Sequence, residues 1–597
     1  MQRRSVLKGA AALAGSSALA GCKPAPPSTS TAHIQGGFVG QAWERGHAMR
    51  DRLAQGLPLP APSRIHRVQV LIAGGGIAAL SAARALRLAG ASDVALLELE
   101  DQAGGNSRGG TVQGLRCPLG AHYLPVPGDK APEVQDLLEE LGVRQRVAGR
   151  WQYKDEYLCF SPQERLFIHG EWQEGLLPTQ DVAASTLAQY QRFAQLVDQA
   201  MRAQPFSMPT MRSWLAQGGL APAHQALDAI RFDTWLAQQK LDDPHLRWYL
   251  DYACQDDFGA GCAQVSAWAG LHYFASRHGF QAPGMPEDAH DSVLTWPQGN
   301  GWLSEQLAAP VQAAGWLHSG HTVMRIAETR QGVEIDSFNH ASQSMERWHA
   351  AHCIVALPTF IAAHVVQDPP DFLRAAVQAL DWAPWQVTNV HIRAPLRDRP
   401  GAELAWDNVL YDDVAHGGLG YVNAGHQRLN AMQQLPTVLT CYRALGGNQP
   451  GASARSARQQ LLAQSWEAAR DQTLATLARA HADIYEKTTH VEVMRYGHAM
   501  AIPRPGTQTV LSRIGQPASS ARRPALINGE RLQALPTPST GRLHFAHSDW
   551  SGYSVFEEAF TRGLYAGVNV ASPRLIHYPG SQIPHYQSNK YSFNNTG

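Results

Sequence analysis

Apolar residues along this chain change their spacing at defined points, and the clearest change follows His66. Val68-Gln69-Val70-Leu71-Ile72-Ala73 is a short β-branched run, the pattern of a parallel strand buried on both faces. Gly74-Gly75-Gly76 interrupts it. Ile77–Leu88 is then rich in Ala and Leu, which predicts a helix that Gly90 ends. Val94–Leu97 reads as the next strand, closed by Glu98. Together these form one βαβ unit at the start of the folded chain.

Further along, residues 183–201 and 234–252 carry apolar positions three and four apart and predict helices. Residues 333–335 and 352–357 predict strands, and 453–484 is a long Ala/Leu/Arg/Gln stretch with helical spacing. Residues 33–63 are polar and Pro-punctuated, without a period, and 577–597 reads as a surface tail. No internal repeat is visible. At 597 residues the chain exceeds one usual core, so two large domains are expected.

Composition changes this picture little. Lys plus Arg balances Asp plus Glu at 50 each, so no net field points to nucleic acid or acidic lipid. Beyond Cys22 there are six cysteines, with no CxxC and no zinc-ligand spacing. Cys254 and Cys262 are the closest pair; a disulfide is one reading and buried free thiols the other.

The N-terminus changes it more. Arg3-Arg4-Ser5-Val6-Leu7-Lys8 precedes a mild apolar run, residues 9–20, too short to span a bilayer. It resembles a twin-arginine export signal, and Leu19-Ala20-Gly21-Cys22 matches a lipobox. The expectation is periplasmic export of a folded protein, cleavage before Cys22, and a membrane anchor through lipid on that cysteine. Residues 23–63 are expected to form a tether and N-terminal extension, beginning with the Pro/Ser/Thr-rich residues 23–32.

The chemistry concentrates in the βαβ unit. Gly74-x-Gly76-x-x-Ala79 lies between the predicted strand and helix, the context a dinucleotide fingerprint requires. Gly74 permits the tight turn, Gly76 lets the backbone approach a pyrophosphate, and Ala79 lets helix and strand pack closely. Glu98, at the end of the second strand, is placed to accept hydrogen bonds from ribose hydroxyls.

This stretch, continuing through Gly104-Gly105-Asn106-Ser107-Arg108 and Leu119-Gly120-Ala121-His122-Tyr123, resembles the FAD-binding start of the flavin amine oxidase and phytoene desaturase superfamily. Arg542-Leu543-His544-Phe545-Ala546-His547-Ser548-Asp549 resembles its late strand, and the run from Glu557 to Gly563 its closing helix. The resemblance implies FAD as cofactor. It implies a Rossmann-like α/β FAD-binding domain (64–123, 293–379 and 493–576) interleaved with an α+β substrate domain (124–292 and 380–492). It adds Gly105, Arg108, Gly120, Val323 and Asp549 to the cofactor site. Asn106 stands where the family usually has arginine, and His547 where it usually has glycine.

For the reaction, the resemblance implies hydride transfer from a small organic substrate to FAD, with an amine or polyamine as the family-level expectation. Desaturation or isomerisation of an apolar substrate is the alternative, and a non-catalytic lipid-anchored flavoprotein a third. Gln386 is aligned where amine-oxidising relatives carry a lysine near the flavin, which favours a dehydrogenase passing electrons to a quinone or another acceptor over a fast oxidase. His498 is a candidate general base. Trp406-Asp407-Asn408 and Asp256-Asp257-Phe258 are acidic-aromatic groupings that would suit a cationic amine.

Overall fold

The computed structural model describes residues 30–571 except 216–217, 278, 285–291, 429–435, 450, 515–524, 528–529 and 533–536. The twin-arginine segment, Cys22 and the C-terminal tail lie outside the described residues.

The βαβ unit forms as its pattern dictates. Strand Arg64–Ala73 lies between Val94–Leu97 and Ser344–Val355, parallel to both. Leu317–His318 and Leu543–Phe545 extend the parallel part, and the antiparallel strands Val333–Asn339 and His321–Glu328 complete a seven-stranded sheet. Helix Ile77–Leu88 is buried around most of its girth, which explains its apolar character on every face. One side meets helix Phe556–Val570 at very short range: a Cβ on Gly563 would stand 2.0 Å from the Ala78 carbonyl oxygen, and one on Gly567 2.7 Å from that of Ala82. Small residues on both helices allow this approach.

The second unit centres on an eight-stranded sheet. Its order is Gln35–Phe38, Thr488–Ile502, Asp381–Ile392, Thr437–Ala444, Gly418–Asn423, Asp407–Leu410, Glu164–Ile168 and Glu171–Glu174. The cofactor-type sheet is thus built from discontinuous segments, with the substrate-type sheet and its helices inserted between them.

Four expectations need correction. Residues 33–63 are not a featureless extension: Gln35–Phe38 is an edge strand and Trp43–Ala54 a helix. The edge strand pairs in parallel with 490–493 through its backbone, so a side-chain period was not needed. The return to the cofactor unit at 493 falls inside strand Thr488–Ile502, which stays paired with Asp381–Ile392 to its last residue. The helix expected over 234–252 is two, Phe232–Gln238 and Pro244–Phe258. Lys240 takes a left-handed conformation between them, and the Asp243 carboxylate caps the second by accepting from the His245 and Leu246 amides at 3.0 Å. Likewise 453–484 divides into Ala454–Ala463 and Trp466–Leu477, with Ser465 capping the latter. Among the described residues no helix is long and apolar enough to cross a membrane.

Candidate functional site

The parallel strands end at a cavity of about 440 Å³ whose wall draws on both units. Gly74, Gly76, Glu98, Gly105, Gly120, Val323, His498 and Asp549 all line it. Residues from six separate stretches of sequence therefore converge on one space.

At one end lies the glycine loop. Gly74 has φ +100°, and a Cβ there would stand 2.5 Å from the Ala356 carbonyl oxygen, so only glycine fits. Gly76 is different: its φ of −73° suits any residue, and a Cβ would meet nothing within 4 Å because it would project into open space. The helix that starts there has no side-chain cap, so its first amides and its dipole face the cavity. Glu98 accepts a hydrogen bond from the Glu100 amide at 2.8 Å. Burial, partly offset by that amide, lifts its carboxyl to about 7. His321, Thr322 and Val323 continue the wall beyond it.

The other end is aromatic and acidic. His122 stacks on Tyr442 with ring centroids 4.4 Å apart, and Trp406 lies 5.5 Å from the same imidazole. Burial pushes His122 down to about 3, so it is neutral. Trp382, Trp385 and Tyr496 add to this wall. Asp256 and Asp257, from helix Pro244–Phe258, reach it from the opposite side. Asp257 is neutralised by Arg277, whose two terminal nitrogens donate to its oxygens at 3.2 Å each, and it also accepts from Tyr553. Asp256 accepts from the Tyr123 hydroxyl at 3.2 Å. Burial first, and the neighbouring Asp257 second, lift Asp256 to about 7. Asp407 is raised as well, by burial and by Glu164 and Asp256. The two acidic-aromatic groupings of the sequence thus meet in space.

Helix Phe556–Val570 presents its N-terminal turn here, with Val555, Phe556, Glu557 and Ala559 on the wall. Asp549 is fully buried; one oxygen accepts from the Thr359 amide and hydroxyl at 2.9 Å each and from the Trp382 indole at 3.2 Å. Burial opposes its charge, but His547 and the Thr359 donors hold the carboxyl below its usual range.

Three candidates stand elsewhere. Ala79 is fully buried under the cavity floor, a packing position. Arg108 lies behind the phosphate-type loop, donating to the Gly105 carbonyl at 3.1 Å, and faces a second cavity rather than the first. Its role is to brace the loop. Gln386 is a clear correction: strand alternation turns Trp385 into the cavity and Gln386 to the other face, where its amide donates to Thr388 at 3.0 Å. The dehydrogenase and quinone expectations rested on that residue and lose their ground. His498 does line the cavity, stacked on Phe360 at 4.3 Å. Burial and nearby Arg458 lower its imidazole well below the usual histidine range, although one side stays open to solvent. So weak a base is poorly matched to proton abstraction at neutral pH.

Sequence reasoning missed the wall residues Tyr442, Arg277 and Gly46, none of which sits in a motif. Trp385 was within reach, one position from Gln386 on a strand where alternate residues change face. Of the two readings of Cys254 and Cys262, the structure has the buried free thiols, with sulfurs 3.9 Å apart.

The residues present fit FAD. An uncapped helix N-terminus beside a glycine with open space above it suits a pyrophosphate, Glu98 suits a ribose, and the elongated cavity continues to a second helix N-terminus. Comparison with solved structures supports the same architecture. A putrescine oxidase bound to putrescine superposes with TM-score 0.57 at 18% identity, covering 85% of this chain and 99% of that one. Cyclohexylamine oxidase from Brevibacterium oxydans IH-35A gives 0.57 at 17%, covering 84% and 98%. A fatty acid isomerase from P. acnes that produces CLA gives 0.52 at 16%, covering 83% and 97%. At these identities the likeness establishes the fold. No curated protein sequence matches the chain. The family model for flavin-containing amine oxidoreductases matches residues 77–571, so the chain belongs to that family and is an FAD-dependent oxidoreductase.

Proposed function

We propose that the chain oxidises an amine, with Asp256 receiving the substrate's ammonium group. The observation that carries this reading is a carboxyl near neutrality on the wall of the flavin cavity, facing the stacked His122–Tyr442 pair. Aromatic faces and a carboxylate together favour a cation. An ammonium cannot release hydride, because its lone pair is held by the proton. Asp256, lifted to about 7, is matched to take that proton near physiological pH. FAD, when bound, would supply the two-electron acceptor for the hydride on the carbon beside the nitrogen, and the neutral amine would leave as a protonated imine. His122 stays neutral and offers its ring face, and the Asp257–Arg277–Tyr553 group adds little net charge.

The test is kcat/KM against pH for a reactive amine. The account expects a rising limb near pH 7 in the native protein and its loss in Asp256→Asn, with FAD content unchanged. An unaltered profile in that variant would move the proton acceptor elsewhere. Turnover of an unsaturated fatty acid and of no amine would favour the isomerase-type reading instead.

We also infer export and lipid anchoring, supported by the twin arginine, the short apolar run and Leu19-Ala20-Gly21-Cys22.

A further inference from the structure

The stretch before the dinucleotide unit lies outside the residues matched by the family, yet it touches both sheets. Ile34 is buried in the core of the eight-stranded sheet. Gln35–Phe38 pairs with that sheet's edge, register Gln35↔His490 to Phe38↔Val493. Gly36, at φ +144°, sits so close that a Cβ would overlap the Val491 carbonyl oxygen at 1.7 Å. A few residues later the chain crosses to the cofactor unit. The Ala42 amide donates to both oxygens of Glu100, at 3.0 and 3.2 Å. Arg45 donates to the Leu99 carbonyl at 2.8 Å and to Asp101 at 2.9 Å. Gly46, one residue on, lines the FAD cavity beside Leu99.

These contacts fall at one end of the cavity. The Glu100 side chain holds the crossing segment, and the Glu100 amide donates to Glu98, the acid placed for the ribose. Gly46 therefore shares a wall with Glu98 and Val323, the adenosine end, and not with His122 or Asp256.

We propose that residues 34–54 are a cofactor clasp: pinned by its strand to the substrate sheet, it closes the adenosine end of the FAD cavity with Arg45 and Gly46. FAD release then requires the Arg45 and Ala42 hydrogen bonds to open. Arg45 and Gly46 are positioning residues and take no part in hydride transfer.

The test uses full-length holoprotein. Release of FAD after dilution is followed by the fluorescence of free flavin, beside the thermal transition of each apoprotein. Arg45→Ala removes the two anchors and is expected to speed release about tenfold, the scale of one charge-assisted hydrogen bond. Gly46→Leu keeps the helix, since its Cβ would make only an ordinary 3.8 Å contact with Leu99, but pushes a side chain into the adenosine end and is also expected to speed release. Arg50→Ala is the control, because Arg50 is exposed and pairs with Asp51 of the same helix; release is unchanged. On the native protein, FAD is expected to slow tryptic cleavage after Arg50, and FMN, which lacks the adenosine, is expected to leave it unchanged. A merely structural role would shift the apoprotein transition without this difference between FAD and FMN. Unchanged release in both Arg45→Ala and Gly46→Leu, equal acceleration in Arg50→Ala, or cleavage indifferent to FAD would each overturn the clasp.

Discussion

Replacing Gly76 by Val separates cofactor binding from folding. The backbone at Gly76 is extended with φ −73°, so valine adopts it without strain, and a Cβ there has no neighbour within 4 Å. The apoprotein loses only the difference between Gly and Val at a helix N-cap, about 1 kcal/mol. The branched side chain would occupy the space above the first helical amides, where the pyrophosphate belongs. Two hydrogen bonds to a charged group, at roughly 1.5–3 kcal/mol each, and up to about 1 kcal/mol of dipole stabilisation are then lost. The sum, about 3–7 kcal/mol, weakens FAD binding on the order of 10²- to 10⁵-fold. Titration of apoprotein with FAD, beside its thermal transition, measures both quantities. Gly74→Ala provides the contrast: φ +100° and the 2.5 Å approach to Ala356 make it a folding defect. A Gly76→Val protein that keeps its full flavin would refute the reasoning.

Gln386→Lys places an ammonium on the buried face away from the cavity, so it should cost roughly 3 kcal/mol of stability and leave the reaction of reduced flavin with oxygen unchanged in stopped flow. Glu98 and Glu557, both raised to about 7 by burial, bind protons more tightly folded than unfolded. Apoprotein stability should therefore be full below the unfolded value near 4.5, fall as pH rises from there to about 7 by roughly 3 kcal/mol per carboxyl, and level off above; Glu98→Gln should flatten a thermal melt series from pH 5 to 8. Replacing Arg3 and Arg4 by Lys should leave precursor in the cytoplasm, whereas Cys22→Ala should yield exported protein without its lipid, as fractionation and labelling would show.

The cofactor end was legible because its chemistry is local. A tight turn, an uncapped helix and an acid at a strand end occupy the 25 residues from Gly74 to Glu98, and backbone geometry limits which residues can serve. The reaction end is assembled over distance. Asp256, Tyr442 and Arg277 come from two helix-linked segments and a strand; the acidic-aromatic run around Asp256 hinted at its role, but nothing near Tyr442 or Arg277 marks them. Gln386 shows the limit of alignment on a strand: one position decides which face a side chain takes. The N-terminal strand was invisible for another reason, since it is held by backbone pairing to an existing edge and needs no apolar period of its own.

The central claim, amine oxidation at this flavin, is tested most directly by anaerobic mixing of purified holoprotein with mono-, di- and polyamines and with unsaturated fatty acids, following the oxidised flavin's visible band. The account predicts that amines bleach the band and that the fatty acids leave it unchanged. A flavin that no amine reduces, under conditions where dithionite reduces it fully, would contradict the account.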